Sequence, residues 1–107
     1  MKRRHLVGRW IRRTCEIYEE LHLLSDGTAV SRVTEIHRHW LLGQTTATIR
    51  TTGEWDLVDG YLVFRVVGCS FRPLRNVGQR WVYELLDIYD DELILLTSDG
   101  RRVRYRQ

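Results

Sequence analysis

An Asp-Gly pair occurs three times in this chain, in Ser25-Asp26-Gly27, Val58-Asp59-Gly60 and Ser98-Asp99-Gly100, each between runs of alternating apolar residues. A type I′ turn needs two consecutive residues at positive φ. Asp-Gly adopts that geometry readily, so the pair is a strong hairpin signal. Treated as two-residue loops, the three pairs set three registers. Asp59-Gly60 places Leu57 opposite Leu62, Trp55 opposite Phe64 and Gly53 opposite Val66. Asp99-Gly100 places Leu96 opposite Val103 and Ile94 opposite Tyr105. Asp26-Gly27 places Leu23 opposite Val30 and Ile17 opposite Ile36. Each register sets apolar against apolar, and a slip of one residue would turn every side chain to the other face.

The rest of the chain also reads as strand. β-Branched and aromatic residues are dense, turns recur at short spacing, and Pro73 is the only proline. Strands are predicted at about 5–13, 14–24, 28–40, 45–57, 61–68, 79–89, 92–97 and 101–106, with ends good to about 2–4 residues. Gly43-Gln44 and Asp90-Asp91 mark two further turns, and Cys69 to Gly78 is the least regular stretch. Tyr18 to Leu24 has some helical propensity but runs into a hairpin turn, which favours a strand. Eight sequential strands make an antiparallel up-and-down meander, and closing it into a small β-barrel removes both sticky edges. The expected fold is therefore all-β, one barrel domain over residues 1–107.

Composition narrows the class further. With 43% hydrophobic and 29% charged residues, disorder is excluded. No apolar run reaches the roughly 18 residues needed to cross a bilayer. Met1 to His5 is basic, but no apolar segment follows it, so the expected location is cytoplasmic, with a periplasmic or secreted form lacking its leader as the alternative. Two cysteines, Cys15 and Cys69, read as free thiols rather than one bridge, because small secreted domains usually carry more.

Leu6-Val7-Gly8-Arg9-Trp10 carries a Gly-x-Trp sequence on the first strand. Followed by eight meandering strands, it resembles the opening of lipocalins and lipocalin-like domains. The resemblance implies a barrel whose first-strand tryptophan packs near the floor against an arginine from the last strand, a role that Arg104 or Arg106 would fill. It covers most of the chain. The chain is shorter than a typical lipocalin, without the C-terminal helix or the long first loop that acts as a lid.

With the three registers above, one face collects Trp10, Ile17, Leu21, Leu23, Val30, Ile36, Ile49, Trp55, Leu57, Leu62, Phe64, Val66, Ile94, Leu96, Val103 and Tyr105 as the interior. Glu19, Arg32 and Thr34 fall on the same side. A buried carboxylate and guanidinium need each other, so this trio with Tyr105 is either a polar anchor for a ligand in an apolar pocket or a structural ion pair near the mouth. His37 and His39 share a strand face with Glu35 and could chelate a zinc ion with Glu16. A solvated outer face with a Glu16–His37 pair is the plainer reading, and no metal or cofactor is expected.

Basic residues concentrate at both ends of the chain. In a closed meander Arg9 and Arg13 on the first strand stand beside Arg102, Arg104 and Arg106 on the last, which forms a basic stripe on the outer wall, while Asp87, Asp90, Asp91 and Glu92 gather at an acidic turn. Such a stripe suits an acidic protein surface or another anion. Nucleic acid is disfavoured because the aromatics that would stack on bases are assigned to the core. Phe71 and Leu74, flanked by Arg72 and Arg75, form either a recognition edge or a plug for the barrel end. No Gly-x-Ser-x-Gly, P-loop or His-Glu-x-x-His motif is present. The expected function is a non-enzymatic binding module for a partner protein with an acidic surface or a small amphipathic ligand. A small cyclase or isomerase with its site inside the barrel is the alternative, and a homodimer through a strand or the arginine wall is a third reading.

Overall fold

The computed structural model describes residues 3–39, 41, 43–89 and 91–107. Eight strands follow one another around a closed antiparallel barrel: β1 (Gly8–Arg13), β2 (Ile17–Leu23), β3 (Thr28–His39), β4 (Gly43–Val58), β5 (Tyr61–Cys69), β6 (Arg80–Ile88), β7 (Glu92–Leu96) and β8 (Arg102–Arg106). β1 and β8 close the ring through the Ile11–Arg106 pair. A 3₁₀ turn, Arg3–Leu6, precedes β1 where a longer first strand is predicted, and a single helical turn, α1 (Pro73–Asn76), interrupts the irregular Cys69–Gly78 stretch. The predicted turn at Gly43-Gln44 falls inside β4, because Gly43 already pairs with His39; residues 40 and 42 lie outside the described residues. Asp90 also lies outside them, and the Tyr89 N–H bond to the Glu92 carbonyl closes that turn at 2.8 Å.

The three Asp-Gly pairs divide into two kinds of turn. Asp59 and Gly60 both take positive φ, 51° and 82°, and pair Leu57 with Leu62, Trp55 with Phe64 and Gly53 with Val66, as expected. The two Ser-Asp-Gly copies are instead three-residue loops in which only the glycine is left-handed, with φ of 91° at Gly27 and 84° at Gly100. Leu24 and Thr97 each accept a bond from that glycine's N–H, at 3.1 and 3.0 Å, and bond across the loop to Thr28 and Arg101. The Asp side chains hold this geometry. Asp26 Oδ1 accepts from both the N–H and the hydroxyl of Thr28, and Asp99 bonds Thr97 and Arg101. A three-residue loop with glycine at its last position is the next commonest hairpin.

The extra loop residue corrects two registers by one place. Leu23 faces Ala29 and Ile17 faces Glu35, rather than Val30 and Ile36. Leu95 faces Val103 and Leu93 faces Tyr105, rather than Leu96 and Ile94. Val30, Ile36, Ile94 and Leu96 therefore leave the predicted interior, and Ala29, Ser31, Leu93 and Leu95, all buried, enter it.

The interior is layered. At the floor Gly8, Leu23, Ala29, Gly53 and Val66 lie in register across β1 to β5, and above them come Trp10, Leu21, Ser31, Thr51 and Cys69. Small residues in line with a tryptophan let large and small side chains interdigitate. A β-bulge between Thr52 and Gly53 adjusts β4 against β5. A methyl group at Gly53 would lie 2.1 Å from the Arg65 carbonyl oxygen, so no larger residue fits there without a shift. Leu6, fully buried, plugs the floor and accepts the Trp10 indole N–H at 2.9 Å.

The arginine that covers a tryptophan is not from the last strand. Arg104 and Arg106 are exposed, and Arg104 bonds Glu92 at 3.2 Å. Arg3 instead lies 4.2 Å over the Trp55 ring, bonds the Ser25 and Trp55 carbonyls and pairs with Asp56. Because Trp10 is 1% exposed, Trp10→Ala should cost roughly 3–5 kcal/mol. Urea unfolding monitored by circular dichroism measures this.

Candidate functional site

The end of the barrel opposite Leu6 carries the polar side chains. Arg12 follows Trp10 by two residues and so shares its inward face, directly opposite Glu19. Arg12 Nε donates to Glu19 Oε1 at 3.3 Å, and the Tyr105 hydroxyl donates to Glu19 Oε2 at 2.7 Å. The Arg12 and Glu19 side chains keep only 25% and 14% of their surface exposed. Both oxygens of this mostly buried carboxylate are thus satisfied, one of them by a charge of opposite sign, as burial requires.

Above this trio opens a cleft of about 630 Å³ between β3, β6 and the Thr97–Arg101 turn, lined among others by Arg12, Glu19, Ser31, Trp81 and Tyr83. Trp81 stacks on Phe64 at 5.1 Å, which holds the indole rigid. Burial, with the Glu19 charge adding to it, pushes the Tyr83 hydroxyl up to about 12, and the same two causes push Tyr105 up as well. Both phenols therefore stay protonated at neutral pH. Among the described residues the Arg12 Nη groups and the Tyr83 hydroxyl have no protein acceptor. The mouth offers donors beyond those its own acceptors use.

The structure places the expected site residues in different surroundings. Glu19 and Tyr105 meet inside the barrel. Arg32 and Thr34 do not join them: the one-residue correction of the β2–β3 register turns both to the outer wall, where Arg32 is exposed and Thr34 bonds Thr48 at 3.2 Å. Arg12, Tyr83 and Trp81 take their place. The parity of Trp10 already points to Arg12. Tyr83 and Trp81 oppose Leu62 and Phe64 across β5–β6, a pairing made through the long Ser70–Gln79 connection, which carries no register signal in sequence.

On the outer wall, Arg13, Arg104 and Arg106 border one groove of about 520 Å³ at the β1–β8 seam, with Ile11 and Gln107. The stripe is narrower than expected. Arg9 pairs with Glu20 at 2.5 Å, which holds the Glu20 carboxyl below its ordinary range, and Arg102 lies further along β8, opposite Leu96. The acidic turn is not separate from the stripe either: Glu92 pairs with Arg106 in register and bonds Arg104. Phe71 and Leu74 do not plug the barrel. They are 48% and 102% exposed, with Arg72 stacked 5.0 Å over the Phe71 ring, on the β5–β6 connection and away from the seam.

Glu16 does not face His37. The exposed pair is Glu35 with His37, 3.5 Å apart, and the His39 side chain lies outside the described residues. Among the described residues no group of three or more His, Cys, Asp or Glu is placed to hold a metal ion. Cys15 and Cys69 are unbridged, Cys15 exposed and Cys69 partly buried beside Thr51. Among the described residues no helix is long and apolar enough to cross a membrane.

The raised Tyr83 hydroxyl has a consequence for stability. The unfolded chain ionises this group near its ordinary value of 10.0, the folded chain only near 12. Between those values the native state binds more protons, so its stability falls as pH rises. Tyr83→Phe should flatten that fall between pH 10 and about 12, as read from denaturation midpoints across the range. No family model matches this sequence and no curated protein matches it, so the chain is characterised by its geometry, a closed eight-stranded meander with a polar, aromatic mouth.

Proposed function

We propose that the chain is a lipocalin-like binding module that takes a small amphipathic molecule at the barrel mouth. One observation carries this reading: an ordered Arg12–Glu19–Tyr105 cluster lies at the base of a cleft of about 630 Å³ walled by Trp81 and Tyr83. That volume is within the range of roughly 300–1,000 Å³ typical of small-molecule sites. The aromatic wall would pack on an apolar body, and the Arg12 Nη groups and the Tyr83 hydroxyl would meet acceptors at its polar end. The Gly-x-Trp opening and the sequential barrel support the lipocalin comparison. Two unbridged cysteines suit a cytoplasmic location. The isomerase alternative is weaker, because both Glu19 oxygens already accept bonds from protein donors, which suits positioning better than proton transfer.

Anilinonaphthalene sulfonate, an aromatic body with an anionic head, is a direct probe. It should bind the native barrel, and Arg12→Gln combined with Tyr83→Phe should raise its Kd at least tenfold in a fluorescence titration, about 1.4 kcal/mol. An unchanged Kd with the fold intact removes the mouth from the reading.

A second reading, docking of an acidic protein, is favoured by the seam groove that Arg13, Arg104 and Arg106 border. Arg9, Arg102, Phe71 and Leu74 are left at its margins or away from it. A polyglutamate peptide should bind this groove with an affinity that falls with salt, and Arg13→Glu with Arg106→Glu should abolish binding in calorimetry. Binding that persists in the double variant would exclude the seam.

A further inference from the structure

The β3–β4 hairpin extends beyond the barrel as a two-stranded arm. β2 follows β3 only as far as the Ile17–Glu35 pair, with one further bond from the Ile36 N–H to the Glu16 carbonyl. β5 follows β4 only as far as Thr51–Cys69, with Ser70 bonding Arg50 at both its N–H and its carbonyl. β3 and β4 nevertheless stay paired, without a register shift, out to His39–Gly43. The molecule measures 49 × 31 × 25 Å, and the arm accounts for its length.

The two edges of the arm differ. Arg50 directs its N–H and carbonyl towards Ser70, away from β3. Backbone direction alternates along a regular strand, so Thr48, Thr46 and Gln44 direct theirs the same way. Among the described residues nothing pairs with them there. From Gly43 to Ile49 this edge reads Gly-Gln-Thr-Thr-Ala-Thr-Ile, without a charge or a proline, in a chain that is 29% charged. Natural edge strands are normally protected by charges, prolines or bulges. The β3 edge has such protection, since Arg38 is the outward residue beyond Ile36. The β4 edge has none.

We propose that the outer edge of β4 from Gly43 to Ile49 is a dimerisation edge, on which two copies of this chain pair antiparallel about a two-fold axis at Thr46. The sequence of the edge argues for a second copy as the occupant. That axis sets Gln44 opposite Thr48, Thr45 opposite Ala47 and Gly43 opposite Ile49, with Thr46 opposite itself. No charge meets a like charge, Arg50 falls outside the paired segment, and polar side chains meet as cross-strand pairs. The contact is isologous, so it closes at two subunits. It also turns a two-stranded ribbon, marginal by itself in water, into a four-stranded sheet.

Sedimentation velocity of the full chain over a concentration series tests this. The wild-type chain should sediment as a dimer, with twice the 12.8 kDa monomer mass, and the amides of Thr46 and Thr48 should gain hydrogen-exchange protection as concentration rises. Thr46→Pro removes an N–H that points to solvent in the monomer, a position where proline is tolerated, so the barrel should persist and the chain become monomeric. Thr46→Lys sets two like charges at the axis and should raise the dimer Kd at least tenfold. A wild-type chain that stays monomeric at its highest soluble concentration overturns the proposal, even if it binds an unrelated β-strand peptide. A dimer that survives Thr46→Pro also overturns it.

Discussion

Closure is the constraint on which the rest of this structure depends. A ring of eight strands has an interior that only alternate residues can enter, and the loop joining two strands decides which alternate set that is. In this chain the decision lies with two Ser-Asp-Gly loops. Because only Gly27 and Gly100 are left-handed there, each loop holds three residues. That extra residue puts Ala29 and Ser31 inside with Glu19, and Leu93 and Leu95 inside with Tyr105. With two-residue loops, Glu19 would have faced Thr34 inside the barrel, with Arg32 beside it.

The layers assign different tasks to the two ends. In the floor and the layer above it, Trp10 and Trp55 are matched by Gly53, Ala29 and Ser31, and the 3₁₀ turn supplies Leu6 as a plug and Arg3 as a clasp. One residue pair further along β1 and β2 the interior changes from Trp10 and Leu21 to Arg12 and Glu19. The same strands therefore hold a dry core and a polar mouth, and the rigidity of the core positions the groups of the mouth. The arm continues the two longest strands past both neighbours, so its backbone partners lie within the hairpin or in another chain.

Much of the fold was legible in particular residues. All eight strands, their order and the closure follow from alternation and turn spacing, and the Val58-Asp59-Gly60 register matches residue for residue. Parity along β2 and β8 puts Glu19 and Tyr105 inside, where the structure also has them. The sequence puts Arg32 and Thr34 inside as well, against the structure, because of a local ambiguity. On β3, Val30, Arg32 and Thr34 look no less suited to an interior than Ala29, Ser31 and Val33, and hydrophobic alternation cannot choose between them. The closed barrel chooses: the row that holds Trp10 and Leu21 takes the small side chains of Ser31 and Thr51, both buried.

By itself, then, the sequence determined the class of structure, because turn chemistry and period-two patterning are local and act within a few residues. It also determined that β1 and β8 would meet, since a sequential meander has only that way to close. Tertiary structure decided the rest. Whether Asp26 and Asp99 take positive φ depends on the strands they join and on bonds to Thr28 and Thr97. Whether Tyr83 and Trp81 reach the mouth depends on packing against Leu62 and Phe64 across a connection with no turn code. Local signals choose the elements, whereas the choice of inward face depends on the volume that strands distant in sequence leave for one another.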